Sequence, residues 1–148
     1  VYWGDVPPSM QNFIVPWMFV AATGYLMMFQ RFFFAWSEEE IAALHWPGGA
    51  ADGQGVKRLF VLYAAFLLTS MLWIDLTRMY ILSPTTLGAV VVVVVLWIAG
   101  LASVGFGVLV WPSRHRLKGA NIALAGCLML SIQCTGWDAI YWVMNFGW

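Results

Sequence analysis

Charged residues are scarce in this chain of 148 amino acids. They make up 9% of the sequence, whereas 62% of the residues are hydrophobic and the mean hydropathy is +0.80. Soluble domains carry about 25% charged residues. So few charges could not cover the surface of a soluble protein of this size, so the composition argues against a water-soluble globular domain.

Several functional classes lack their signatures. The net charge is zero and no basic tract occurs, so nothing supports binding to nucleic acid. Cys127 and Cys134 are the only cysteines, and seven helical residues separate them by about 10 Å, too far for a disulfide. We interpret them as buried thiols. His45 and His115 fall in predicted loops, which argues against haem ligation inside a helical bundle.

Catalytic motifs are also missing. The sequence contains no Glu-x-x-His pair, no P-loop and no dinucleotide-binding fingerprint. It has no covalent haem motif and no metal motif, so no cofactor is identified, and a bound lipid or pigment stays open. The sequence therefore favours a protein that is not an enzyme, without deciding the question.

Long apolar stretches are abundant. Four of them cover residues 13–36, 59–82, 87–111 and 120–146, and each exceeds the roughly 20 residues that cross a bilayer core as a helix. Because lipid cannot satisfy open backbone groups, each stretch is predicted to be helical, including the valine run at 90–95. The predicted fold is an all-α membrane protein, one domain over residues 1–148, with four transmembrane helices in one bundle.

The loops indicate an orientation. Ser37 and Glu40 have the spacing of a capping box and predict a short amphipathic segment at 38–45. Most basic residues lie in or beside loops 37–58 and 112–118, so the positive-inside rule places both loops on the cytoplasmic-equivalent side and both termini on the other. A chain that starts at Val1 is consistent with a removed presequence, and equally with an incomplete sequence. Which membrane holds the protein is not indicated.

Side-chain size predicts how the helices pack. The fourth span carries small residues at a spacing of four, and such stripes allow close helix approach. The third span also has a cluster of small residues, so these two spans are expected to pack together, with contact between the third span's glycines and another subunit as the alternative. The first and second spans are bulkier, and much of their surface is expected to face lipid or another protein. The bulky side chains include Met27, Met28, Phe29, Phe32, Phe33 and Phe34. The predicted packing stripe consists of Gly119, Ala123, Cys127, Ser131, Thr135 and Ala139.

Three charges fall inside the spans, where charge indicates a functional site by default. Asp75 and Arg78 in the second span and Asp138 in the fourth are expected at similar depth in the outer part of the bilayer. Gln133 and Tyr141 add polar atoms there. We predict that Arg78 bridges both aspartates. This cluster could fix the register of two helices, bind a ligand or ion, or transfer a proton.

Basic residues at the opposite end predict contact with lipid headgroups. Arg31 ends the first span, and Arg114, Arg116 and Lys118 follow the third. Together they would suit an anionic headgroup, although snorkelling to the interface is a sufficient explanation for Arg31.

Two functions remain. The first is an integral membrane structural or accessory subunit of a larger complex, which packs through its transmembrane helices against other subunits and lipids. The alternative is a small-molecule or lipid-binding membrane protein, an enzyme or an oligomeric transporter included, with a polar site in the outer leaflet. The scarcity of catalytic residues and the short loops favour the first.

Overall fold

Helices make up most of the structure, a computed structural model that describes residues 2–148. Val1, the residue that raised the question of N-terminal processing, lies outside the described residues, among which no strand occurs. The elements are α1 (Pro8–Gln30), a π-helical turn (Arg31–Ala35), α2 (Glu38–Ala42), α3 (Gly55–Leu82), α4 (Thr86–Val110), a 3₁₀ turn (Trp111–Ser113), α5 (Ala120–Ser131), a π-helical segment (Ile132–Trp142) and α6 (Val143–Asn145).

Four of these helical stretches are long and apolar enough to cross a membrane. They run over Pro8–Ala35, Gly55–Leu82, Thr86–Ser113 and Ala120–Asn145. The four predicted helical spans are thus confirmed, and length and composition indicate an integral multi-pass membrane protein. The sidedness derived from the basic loops stays a prediction.

The helices form a bundle with two distinct ends. Helix α3 packs along α4, and α1 packs along α5, which also contacts α4. At one end, which we call the terminal end, the Asp5 amide donates to the Asn145 carbonyl at 2.8 Å. At the other, the loop end, the Trp36 indole donates to the Lys118 carbonyl at 2.9 Å. Residues distant in sequence are therefore joined at both ends.

Two glycines allow α1 and α5 to approach each other closely. A β-carbon at Gly24 would lie 2.7 Å from the carbonyl oxygen of Gly126. One residue further along α5, the Cys127 thiol lies 3.7 Å from the Met28 sulfur. Gly126 is not in the stripe picked out from the sequence, so the prediction missed this contact.

Two residues of the predicted stripe, Thr135 and Cys127, contact the third span. Thr135 donates to the Gly100 carbonyl of α4 at 3.0 Å, and a β-carbon at Gly107 would meet Cys127 at 3.4 Å. Ala123 and Ala139 are buried, whereas Gly119 and Ser131 are half-buried. The third and fourth spans are thus in contact through small residues.

An aromatic layer fills the loop half of the bundle. Phe32, Tyr63 and Phe106 come from three different helices and pack with ring centroids 4.7–6.2 Å apart. Of the bulky side chains of the first span that were expected to face lipid or another protein, Met28 and Phe32 are fully buried instead, whereas Phe33 and Phe34 are exposed. Phe34 follows Phe32 by two residues and is exposed, so the two rings lie on different faces of the helix. The sequence does not show which of these faces is buried.

The loop end is held by short-range polar contacts. The predicted capping box is present, since Ser37 accepts from the Glu40 amide and Glu40 accepts from the Ser37 amide, and the helix it starts ends at Ala42. Arg58 forms an ion pair with Asp52 at 2.6 Å. Hydrogen bonds from the Arg58 guanidinium lower the pKa of Asp52 to about 2, so this carboxyl is ionised at neutral pH.

Candidate ligand-binding site

A cavity of about 540 Å³ lies between the four spans in the terminal half of the bundle. Its volume falls within the roughly 300–1,000 Å³ typical of small-molecule sites. The walls are mainly apolar and aromatic, and every span contributes to them. Residues on these walls include Ile14, Met18, Trp73, Leu96, Leu130 and Trp142.

Two polar side chains meet in the wall of this cavity. The Gln133 amide nitrogen donates to the Asp138 carboxyl oxygen Oδ1 at 2.8 Å. Gln133 is buried, and its Oε1 has no hydrogen-bond partner within residues 2–148. The residues that line the cavity therefore include a buried amide whose oxygen is unpaired and the carboxyl group to which that amide donates. Such a pair is complementary to a group that donates hydrogen bonds.

The π-helical segment explains why these two residues meet. They are five positions apart, which in a regular α-helix would separate them by about 140° around the axis. In a π-helix each amide bonds to the carbonyl five residues earlier, so residues at that spacing lie one above the other. The stretch from Cys134 to Asp138 contains residues with weak α-helical propensity, Gly136 among them. The local winding thus turns Gln133 and Asp138 towards the same cavity.

The N-terminal segment closes the terminal side of the cavity. Tyr2 and Trp3 line it, and the Trp142 indole donates to the Tyr2 carbonyl at 2.8 Å. Trp142 also packs edge-on against Trp73, with ring centroids 6.0 Å apart. The Trp142 indole thereby joins the cavity wall to the N-terminal segment that closes its terminal side.

Asp75 and Arg78 lie elsewhere. Both are exposed on the outer surface of α3, and neither lines the cavity. The one ion pair among residues 2–148 is that of Arg58 with Asp52, so the expected bridge from Arg78 to Asp75 and Asp138 is not formed. The physical reason is helix phase, because α3 turns Trp73 inward and thereby turns Asp75 outward.

Tyr141 is separate from the cavity as well. It is half-buried, its ring meets that of Trp137 edge-on at 5.7 Å, and its carbonyl accepts from the Asn145 side chain at 2.8 Å. Of the five residues predicted as a polar cluster, the structure joins Gln133 to Asp138.

Sequence reasoning missed the aromatic walls. Neither Trp142 nor Trp73 was predicted as a site residue. A signal was available for the latter, because Ser70, Trp73 and Thr77 share one face of a helix at spacings of three and four. Thr77 is fully buried, and its hydroxyl donates to the Trp73 carbonyl at 2.7 Å, which marks that face as the inward one.

The basic residues predicted to contact lipid cluster at the loop end. The Arg31 guanidinium lies against Gly119, whose backbone has a φ of +75° and where a β-carbon would come within 2.8 Å of the Arg31 side chain. Arg114 stacks over Trp111 at 4.1 Å, and Arg116 donates to the Ser113 hydroxyl at 3.3 Å. Lys118 is exposed. Their contact with headgroups stays a prediction.

Comparisons with known proteins give no further guide to the site. No family model, curated protein or solved structure matches the chain. Within the part of the chain that the structure describes, no three His, Cys, Asp or Glu side chains converge as a metal site would require. The chemistry of the cavity therefore rests on Gln133, Asp138 and the surrounding aromatic walls.

Proposed function

We propose that this membrane protein binds an amphipathic small molecule in the cavity between its four spans. The polar end of the ligand, a hydroxyl or an amine, donates hydrogen bonds to Gln133 and Asp138. Its apolar body lies along Met18, Trp73 and Trp142. The observation that carries the proposal is the hydrogen-bonded pair of Gln133 and Asp138, which lines a ligand-sized cavity and whose Gln133 Oε1 has no partner among residues 2–148.

The energetics favour a donor ligand. Leaving a buried acceptor unpaired costs about 1–3 kcal/mol, and a ligand hydroxyl would recover part of that penalty. Contact with the apolar walls contributes binding free energy when the ligand comes from water. A ligand that enters from the lipid gains less from these walls, because lipid already shields its tail from water. The polar contacts therefore discriminate between ligands more strongly than the apolar ones do.

Two photoreactive probes test this proposal. The first is hexadecanol carrying a diazirine in its chain, and the second is the methyl ether of the same molecule, which lacks the hydroxyl donor. In nanodiscs containing the full chain, we expect the alcohol to label cavity residues at least fivefold more than the ether does. Mass spectrometry of peptides around Trp73 and Trp142 measures the labelling.

Variants make the test specific. Gln133→Leu and Asp138→Leu should abolish the preference for the alcohol, whereas Asp75→Leu, which removes an exposed aspartate from α3, should retain it. Equal labelling by the two probes in the unsubstituted chain would contradict the proposal. So would an alcohol preference that survives both cavity substitutions in protein shown to be folded by circular dichroism.

A second function, an accessory subunit of a larger membrane complex, is supported by the outer face of α3. Asp75 and Arg78 are exposed there among apolar side chains such as Met71 and Leu82. Charges on a membrane-facing surface are costly unless another protein covers them. Extraction in a mild detergent followed by native mass spectrometry tests this function, because a subunit should leave the membrane with fixed partners and a lone chain would contradict it.

A further inference from the structure

The exposed face of α3 has the pattern of a helix-pairing seam. Along one side of α3, residues that are exposed, or half-buried in the case of Ala64, recur at alternating spacings of three and four, which is the heptad spacing of paired helices. Met71 is 72% exposed and Leu68 is 59% exposed, so no other helix of the chain covers them. The seam, as we use the term, consists of Val61, Ala64, Leu68, Met71, Asp75 and Arg78.

The two charges make this face unsuited to lipid. Asp75 is seven residues before the end of α3 at Leu82, or about 10 Å along the axis. An aspartate side chain is too short to reach the interface from that depth, unlike a lysine or arginine. Within residues 2–148, neither Asp75 nor Arg78 has an ion-pair partner. A partner that presents a cation and an anion one turn apart on its own helix would pair with both charges.

A second copy of the chain supplies that combination. We propose that α3 pairs in parallel with α3 of a second copy, about a two-fold axis along the membrane normal. In such an interface the same patch meets itself, and residues at neighbouring heptad positions lie within reach across it. Asp75 then pairs with Arg78 of the partner subunit, and the symmetry forms the pair twice. Both charges are neutralised without any other protein.

This inference names the partner for the subunit function proposed above and does not depend on the ligand cavity. Substitutions that reverse the charge of Asp75 or Arg78 test the proposed pairing. A chain with Asp75→Arg carries two cations on the seam, and a chain with Arg78→Asp carries two anions. Each variant should lose self-association in nanodiscs or dilute detergent, measured with two affinity tags, because like charges would meet across the axis.

The mixture of the two variants gives the decisive result. Co-expressed chains with Asp75→Arg and Arg78→Asp should form a mixed dimer at tenfold or greater excess over either variant with itself. Reversing an exposed loop charge instead, with Glu39→Arg, should leave wild-type dimerisation unchanged. Failure of the mixture to pair would overturn the proposal, and so would a monomeric unsubstituted chain. A fixed complex with another protein would overturn the second copy as partner and leave the subunit function standing.

Cysteine cross-linking tests the same interface without altering charge. Met71→Cys should form an intermolecular disulfide on oxidation in the membrane, because the two-fold axis brings that position close to its copy. Phe19→Cys is the matched control, since Phe19 is 73% exposed and lies 11 residues from the end of its helix on the same side of the bundle, as Met71 does. Equal cross-linking at both positions, or none at Met71→Cys, would overturn the proposal.

Discussion

Asp75 and Asp138 form a natural comparison within one molecule. Each lies seven residues before the last residue of its span, so the sequence places them at similar depth. Asp138 turns inward and accepts a hydrogen bond from Gln133, whereas Asp75 turns outward beside Arg78. Depth in the membrane therefore does not determine what a charge does here. The helix face decides whether it belongs to a cavity or to an outer surface.

The largest expected effect distinguishes inward from outward glycines. Gly24→Ala should destabilise the protein by about 2 kcal/mol or more, because the new methyl group meets the Gly126 backbone, which cannot move aside as a side chain could. Gly136→Ala should be neutral or slightly stabilising, since a β-carbon there meets nothing within 4 Å. Unfolding in mixed micelles measures both free energies.

One outcome of the glycine comparison would contradict the close packing of α1 against α5. Equal changes in unfolding free energy for Gly24→Ala and Gly136→Ala would show that α1 and α5 are not in backbone contact. In that case the cavity wall formed by α1 would have to lie elsewhere.

A smaller effect measures how the two aspartates differ. A double-mutant cycle between Gln133→Leu and Asp138→Leu should give a coupling free energy of about 1–2 kcal/mol, because each single change leaves a buried polar group unpaired and the double change removes both. A control cycle between Gln133→Leu and Asp75→Leu should be additive to within about 0.5 kcal/mol. Chemical unfolding of all five variants and the parent supplies both cycles.

Two outcomes of the coupling measurement would contradict our interpretation. Additivity for Gln133 and Asp138 would mean that their hydrogen bond contributes nothing to folding. Coupling of similar size to Asp75 would mean that the two aspartates share an environment after all.

The sequence was sufficient for the four spans because lipid leaves an apolar stretch of that length few alternatives to a helix. It was insufficient for the direction of Asp75, since α3 is apolar on nearly all sides and hydrophobicity does not fix its rotation. The face shared by Ser70, Trp73 and Thr77 indicates that rotation only weakly, and the burial of Thr77 in the structure fixes it. Gln133 and Asp138 were predicted as polar site residues, but their direct contact depends on π-helical winding, which spacing rules for an α-helix do not include.

The smallest expected effect concerns the N-terminal segment over the cavity and compares two tryptophans of the fourth span that have different partners. Trp142→Phe retains an aromatic ring against Trp73 and Phe146 but removes the indole donor to the Tyr2 carbonyl. Losing that bond should cost about 1 kcal/mol and raise hydrogen exchange of the Asp5 amide roughly fivefold. Trp137→Phe is the control. The Trp137 indole nitrogen is buried without a partner among residues 2–148, so this substitution removes no hydrogen bond. Exchange that rises equally in both variants would show that ring size, and not the bond to Tyr2, holds the N-terminal segment over the cavity.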